Sequence, residues 1–170
     1  PFWFAATLSV LNLLSILFLF RETLTVRSTV PIHMLTAFHN IKKAFTLPNL
    51  RVLFFVVFLL IFGFTFFTQF FQVFLIETFQ FSQSDIGDLF AYVGVWIVFT
   101  QGVLMRFVFK HVSSVHMLRV SLLALALFFP LLIIPHSFMY LFIVLPFIAI
   151  AYGLSIPHIT ALVSQAAGKE

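Results

Sequence analysis

The chain has no cysteine, which excludes disulfides and cysteine-ligated metal sites. Charge is almost as scarce. Only 8% of the residues are Asp, Glu, Lys or Arg, where a soluble domain carries about a quarter. Acidic residues number five, and none interrupts a long apolar run. Enzyme signatures are missing too: there is no GxSxG, HExxH or P-loop and no metal-spaced carboxylate set. No catalytic residue, cofactor or metal is therefore assigned, and the chain is not read as an enzyme. His111 and His116 read as ordinary surface histidines of a basic loop.

What is present in excess is apolar. Hydrophobic residues make up 62% of the 170, and 27 are Phe. One small core cannot hide that surface, because a chain of this length leaves much of it exposed after folding. Lipid is the solvent that accepts it, and Phe favours the bilayer centre by a few tenths of a kcal/mol. The net charge of +4 then reports loops facing anionic lipid, not nucleic acid.

A spanning helix needs about 20 apolar residues. Five segments qualify, at about 2–20, 51–76, 86–109, 118–134 and 138–163. The last two come from one uncharged stretch broken at Pro135-His136-Ser137, a turn signal. Helices are expected, because hydrocarbon leaves no partner for unpaired backbone and these runs lack the alternation of barrel strands. The fold class is all-α, a polytopic helix bundle.

Five alternating spans put all nine Lys and Arg on one side. Arg21, Arg27, Lys42, Lys43 and Arg51 lie in the 21–50 linker and at its end. Arg106, Lys110 and Arg119 follow the third span, and Lys169 follows the fifth. Glu77, Asp85 and Asp88 occupy the other side. By the positive-inside rule the linker and the C-terminal end are cytoplasmic. Within the linker, Met34, Leu35, Phe38, Ile41 and Phe45 recur at helical spacing opposite His39, Asn40, Lys42 and Lys43. That pattern predicts an amphipathic surface helix over about 34–45, ended by Pro48. Opening on Pro1 and stopping at Gly168-Lys169-Glu170, the chain reads as an internal piece truncated at both ends.

This order of elements resembles spans six to ten of a twelve-span major facilitator transporter. Local motifs carry the resemblance. Phe2-Trp3-Phe4-Ala5-Ala6 with Leu19-Phe20-Arg21-Glu22-Thr23 is similar to the sixth span of the drug:proton antiporter branch, and Ala44-Phe45-Thr46-Leu47-Pro48-Asn49-Leu50-Arg51 to the end of its linker. Ile86-Gly87-Asp88-Leu89-Phe90-Ala91-Tyr92-Val93-Gly94 with Gln101-Gly102 resembles the eighth span, and Gly153-Leu154-Ser155-Ile156-Pro157 with Ser164 the tenth. Within that branch the motifs resemble those of bacterial tetracycline-efflux-like and multidrug proteins.

The resemblance implies that 1–20 ends the N-terminal half, that 21–50 links the halves, and that 51–170 begins the C-terminal half. It also implies proton-coupled efflux of a small amphiphilic molecule by alternating access, in a cell membrane of the bacterial inner-membrane type. The coupling acid would sit in the remainder of the same polypeptide. Gly102, Arg106 and Lys110 would form the second-half cytoplasmic loop motif, here without its acid. Nutrient uptake by the same fold is the alternative. A multipass enzyme or assembly factor, or a channel, is disfavoured because no histidine or acid cluster and no filter-like loop is visible.

Thr65, Thr68, Gln69 and Gln72 fall on one face of the second span. An unpaired amide is costly in hydrocarbon, so this face should look into the bundle or into a wet cavity. Asn12, Gln101 and Tyr152 are further cavity candidates, whereas Ser15, Ser155 and His158 read as packing groups. Trp96 and Tyr92 fit either packing or an aromatic cargo. The small-residue strip Gly87, Ala91, Gly94, Val98 and Gln101-Gly102 predicts close helix approach. Pro130, Pro146 and Pro157 each delete a backbone hydrogen bond, and Gly153 with Pro157 is the candidate gating hinge.

Overall fold

The structure, a computed structural model, describes residues 2–20, 45–134 and 137–167. The described part is helical, with no strand, and holds five helices long and apolar enough to cross a membrane. The predicted surface helix over 34–45 lies, apart from Phe45, outside the described residues. So do Pro135 and His136 of the fourth-to-fifth break.

The chain divides into two units, Pro1–Phe38 and His39–Glu170. In the first, α1 runs Phe2–Leu19 and is exposed on every face. Its hydroxyls are self-satisfied: Thr7, Ser9 and Ser15 donate to the carbonyls of Trp3, Ala5 and Leu11 at 2.8, 2.9 and 2.8 Å. Such back-bonding lets Ser and Thr sit on a lipid-facing helix without an orphaned donor.

The second unit holds the other four spans. Helix α2 (Pro48–Phe79) starts with Pro48 in its first turn, where no helical N–H is needed, and ends where Gln80 adopts φ 56°. Its 32 residues make about 48 Å, longer than a bilayer core of roughly 30 Å. Helix α3 (Gln83–Phe99) opens with a reciprocal cap. Ser82 N–H donates to the Asp85 carboxylate at 2.8 Å, and Asp85 N–H donates to the Ser82 hydroxyl at 3.3 Å.

The third predicted span is one continuous rod but not one regular helix. A π turn over Thr100–Leu104, closed by Met105 N–H reaching the Thr100 carbonyl, joins α3 to α4 (Met105–His111). Helix α5 (Ser114–Leu131) begins four residues before its predicted start, with the Ser113 hydroxyl accepting His116 N–H at 3.4 Å. Helix α6 (Met139–Ala167) carries Pro146 and Pro157 inside it.

Helix α6 is the hub. Of its most apolar window 56% is buried, against 11–17% for the other spans of the unit. Phe64 of α2 stacks on Tyr152, and Phe128 of α5 stacks on Phe147 at 4.8 Å and 6°. Tyr92 of α3 donates its hydroxyl to the Phe142 carbonyl at 3.0 Å. Further along, Thr100 meets Gly153 and Phe109 meets His158, so the α3–α4 rod runs parallel to α6. Gln165 and Ala166, near the end of α6, share a groove with Val52, Val115 and Arg119. Phe138 and Phe142, near its start, share one with Phe79, Asp85 and Asp88. The unit therefore has a basic end and an acidic end.

Its outer surface is greasy. Phe58, Phe62, Phe66 and Phe70 form an exposed ladder along α2, with successive ring centroids 5.7, 6.1 and 4.3 Å apart.

Candidate functional site

Between α2, α3 and α6 lies a cavity of about 140 Å³, with Phe64, Thr68, Leu89, Gly94, Ile97 and Ala149 in its wall. Thr68 is the polar member of that group, and its hydroxyl is already spent on the Thr65 carbonyl at 2.9 Å. What remains is an apolar space about the size that holds a benzene ring.

The predicted polar stripe on α2 splits. Thr68 turns into the cavity wall, whereas Thr65, Gln69 and Gln72 are exposed beside the buried face. Neither glutamine side chain hydrogen-bonds to a described residue. Tyr152 belongs to the same neighbourhood, because its ring lies on Phe64, which also lines the cavity. Its hydroxyl has no partner among the described residues.

The other candidates lie apart. Asn12 is exposed on α1, in the other unit. Gln101 and Gly102 are exposed in the π turn, and Arg106 and Lys110 are exposed on α4.

The small-residue strip on α3 needs correction. A Cβ built on Gly87, Gly94 or Gly102 meets nothing within 4 Å, and Val98 is 71% exposed. No described helix uses these positions for close approach. The close approach occurs at Gly153, where a Cβ would sit 3.2 Å from Thr100 Cγ2. Gly153 is buried against the π turn, and Pro157, one turn on, has no N–H to give the Gly153 carbonyl. The two predicted hinge residues thus stand opposite a widened turn.

Of two further groups at this joint, Thr100 escapes the sequence reading and His158 reads there as a packing group. Thr100 is fully buried, its hydroxyl donating to the Trp96 carbonyl at 2.7 Å. His158 is fully buried as well, with Nδ1 and Nε2 both unpartnered among the described residues and its ring 4.4 Å from that of Phe109. A histidine adjoining the Gly153–Pro157 pair was the one available signal. Its lack of a partner is visible only once α4 is placed beside α6.

No protein-family model, curated protein or solved structure matches this chain.

Proposed function

We propose that this chain is part of a multi-pass transporter of the major facilitator type that moves a small amphiphilic molecule by alternating access, in proton-coupled efflux. The observation that carries the reading is the pair Gln69 and Gln72. Both are exposed and without a hydrogen-bond partner among the described residues, in the middle of a helix made mostly of Phe, Leu, Val and Ile. Unpaired amides on a lipid-facing surface are costly, so these two belong against a wet path or a cargo. Glutamine offers donors and an acceptor without charge, which suits many neutral or cationic amphiphiles.

The apolar cavity on another face of α2, lined by Thr68 but by neither glutamine, would supply a separate dry space for a ring. In this scheme 1–20 closes the first half of the transporter, 21–50 is the linker, and 51–170 opens the second half. The basic end faces the cytoplasm of a bacterial-type inner membrane. Gly153 and Pro157 act as the bend, and Gly102, Arg106 and Lys110 form the cytoplasmic loop.

The test is ethidium efflux from cells carrying the full-length protein, with expression measured alongside. Gln69→Ala and Gln72→Ala are each expected to reduce efflux several-fold at unchanged expression, and the double variant to abolish it. Wild-type efflux in all three variants removes the stripe from the path and the reading with it.

A further inference from the structure

We propose that His158 is a proton-binding site built into the joint between α6 and the π turn with α4, and that proton binding opens this joint. The inference takes from the proposed function only that the full-length protein changes shape in the membrane. It concerns a residue that the transport reading leaves unused.

A fully buried imidazole normally has a partner for at least one ring nitrogen. His158 has none among the described residues, and it stands nine residues from the end of α6, about 13 Å along the helix. The ring contact does not require a histidine, since it is a tilted contact with Phe109, planes 40° apart, that a Phe could also make. The closed joint therefore accommodates the neutral ring while leaving its polar atoms unsatisfied.

The surroundings do not suit the charged ring. Among the described residues, the charge-bearing groups on the elements around it are Arg51 on α2, Arg106, Lys110 and His111 on α4, and His116 and Arg119 on α5, all exposed and all basic. The π turn and the rest of α6 add only the phenols of Tyr140 and Tyr152. Glu77, Asp85 and Asp88 belong to the acidic end. Among the described residues no carboxylate lies at this end of the unit, so an imidazolium in the closed joint would have no counter-ion there and is stable only where water reaches it.

The joint is made to part. Pro157 leaves the Gly153 carbonyl without its helical donor, the facing turn is π-wound, and Gly153 offers no side chain to interlock with Thr100. When α6 swings from α4, water enters, a proton from it adds to the unprotonated ring nitrogen, and the imidazolium holds the joint open. Closing returns that proton to water. By linkage the open-to-closed ratio rises on acidification, by up to about tenfold per pH unit for one proton.

Spin labels on Phe107→Cys of α4 and Ser164→Cys of α6, both exposed positions, report the joint by pulsed electron-spin distance measurement. The measurement uses the full-length protein in nanodiscs, without cargo, in a background otherwise free of cysteine. The expected result is a longer-distance population that grows severalfold between about pH 8 and about pH 5.5, the range of an imidazole. His158→Phe, which keeps the ring contact, and His158→Asn should each give a distribution independent of pH.

A wild-type distribution that ignores pH overturns the proposal whatever the variants do, and so does a pH response that survives in His158→Phe. Because no cargo is used, loss of the ethidium result with an intact pH response defeats the transport reading alone. Intact efflux with a pH-indifferent joint defeats this inference alone.

Discussion

The ring of Tyr152 lies flat on that of Phe64, centroids 3.6 Å apart and planes 11° from parallel. The pair ties α2 to α6 beside the cavity that Phe64 helps to line. Aromatic pairs contribute about 0.5–1.5 kcal/mol beyond their area burial. Lipid tails are as apolar as the interface, so specific packing of this kind decides which helices associate.

A double-mutant cycle on Phe64→Ala and Tyr152→Ala should return a coupling of about 0.5–1.5 kcal/mol in reversible detergent unfolding. Tyr152→Phe keeps the stack and removes a hydroxyl that has no partner among the described residues. It should leave stability unchanged while testing whether that hydroxyl meets cargo. Additive single variants would mean that the two rings are merely adjacent.

Gly153 and Gly94 should answer the same substitution with opposite signs. At Gly153 an alanine methyl would lie 3.2 and 3.3 Å from Thr100 Cγ2 and Cβ, inside comfortable contact. Thr100 is fully buried and tied to the Trp96 carbonyl, so it cannot yield freely. Gly153→Ala is expected to destabilise by about 1–3 kcal/mol. Thr100→Ser deletes Cγ2 and keeps Cβ and the hydroxyl, so adding it to Gly153→Ala should recover part of that loss.

At Gly94 a Cβ meets nothing within 4 Å, although the residue lines the cavity. There the helix preference of alanine acts without opposition. Gly94→Ala should stabilise by about 0.5–1 kcal/mol, read as a higher midpoint in the same unfolding assay. A loss at Gly94 would reveal a neighbour pressed against α3.

The spans were legible because the signal for a membrane helix is one-dimensional. Long uncharged runs bounded by Arg51 and Glu77, or ended by Arg106, predict helices whatever packs on them, and α2 and α3 lie where those runs lie. Their ends moved by a few residues, since Pro48 and the Ser82–Asp85 cap decide termini by local hydrogen bonding that hydropathy ignores. The π turn left no trace, because a change of pitch at Thr100–Leu104 alters neither composition nor length of the run.

The site residues divide for a related reason. Spacing places Thr65, Gln69 and Gln72 on one face of α2 but cannot say which neighbour that face meets. The small residues of α3 obeyed the pattern for close approach, and no described helix packs closely on them. The contact that exists, Gly153 on Thr100, joins two helices distant in sequence. Partnering is a property of the assembled bundle, which is why His158 read as packing until α4 stood beside it.

The orientation has a direct test. The described unit carries Arg51, Arg106, Lys110 and Arg119 toward one end and Glu77, Asp85 and Asp88 toward the other, so a single labelled position on each end fixes which way the bundle points. If Lys and Arg loops are retained on the cytoplasmic side, Lys110 is expected inside and the start of α3 outside. In intact cells a membrane-impermeant maleimide should modify Gln83→Cys in the full-length protein and leave Lys110→Cys untouched, and permeabilisation should expose both. Both side chains are exposed, so access through the membrane and not burial controls the reaction. Labelling of Lys110→Cys from outside, with Gln83→Cys protected, would invert the bundle. The basic loops would then face the exterior, and the path past Gln69 and Gln72 would have to be redrawn with its mouths exchanged.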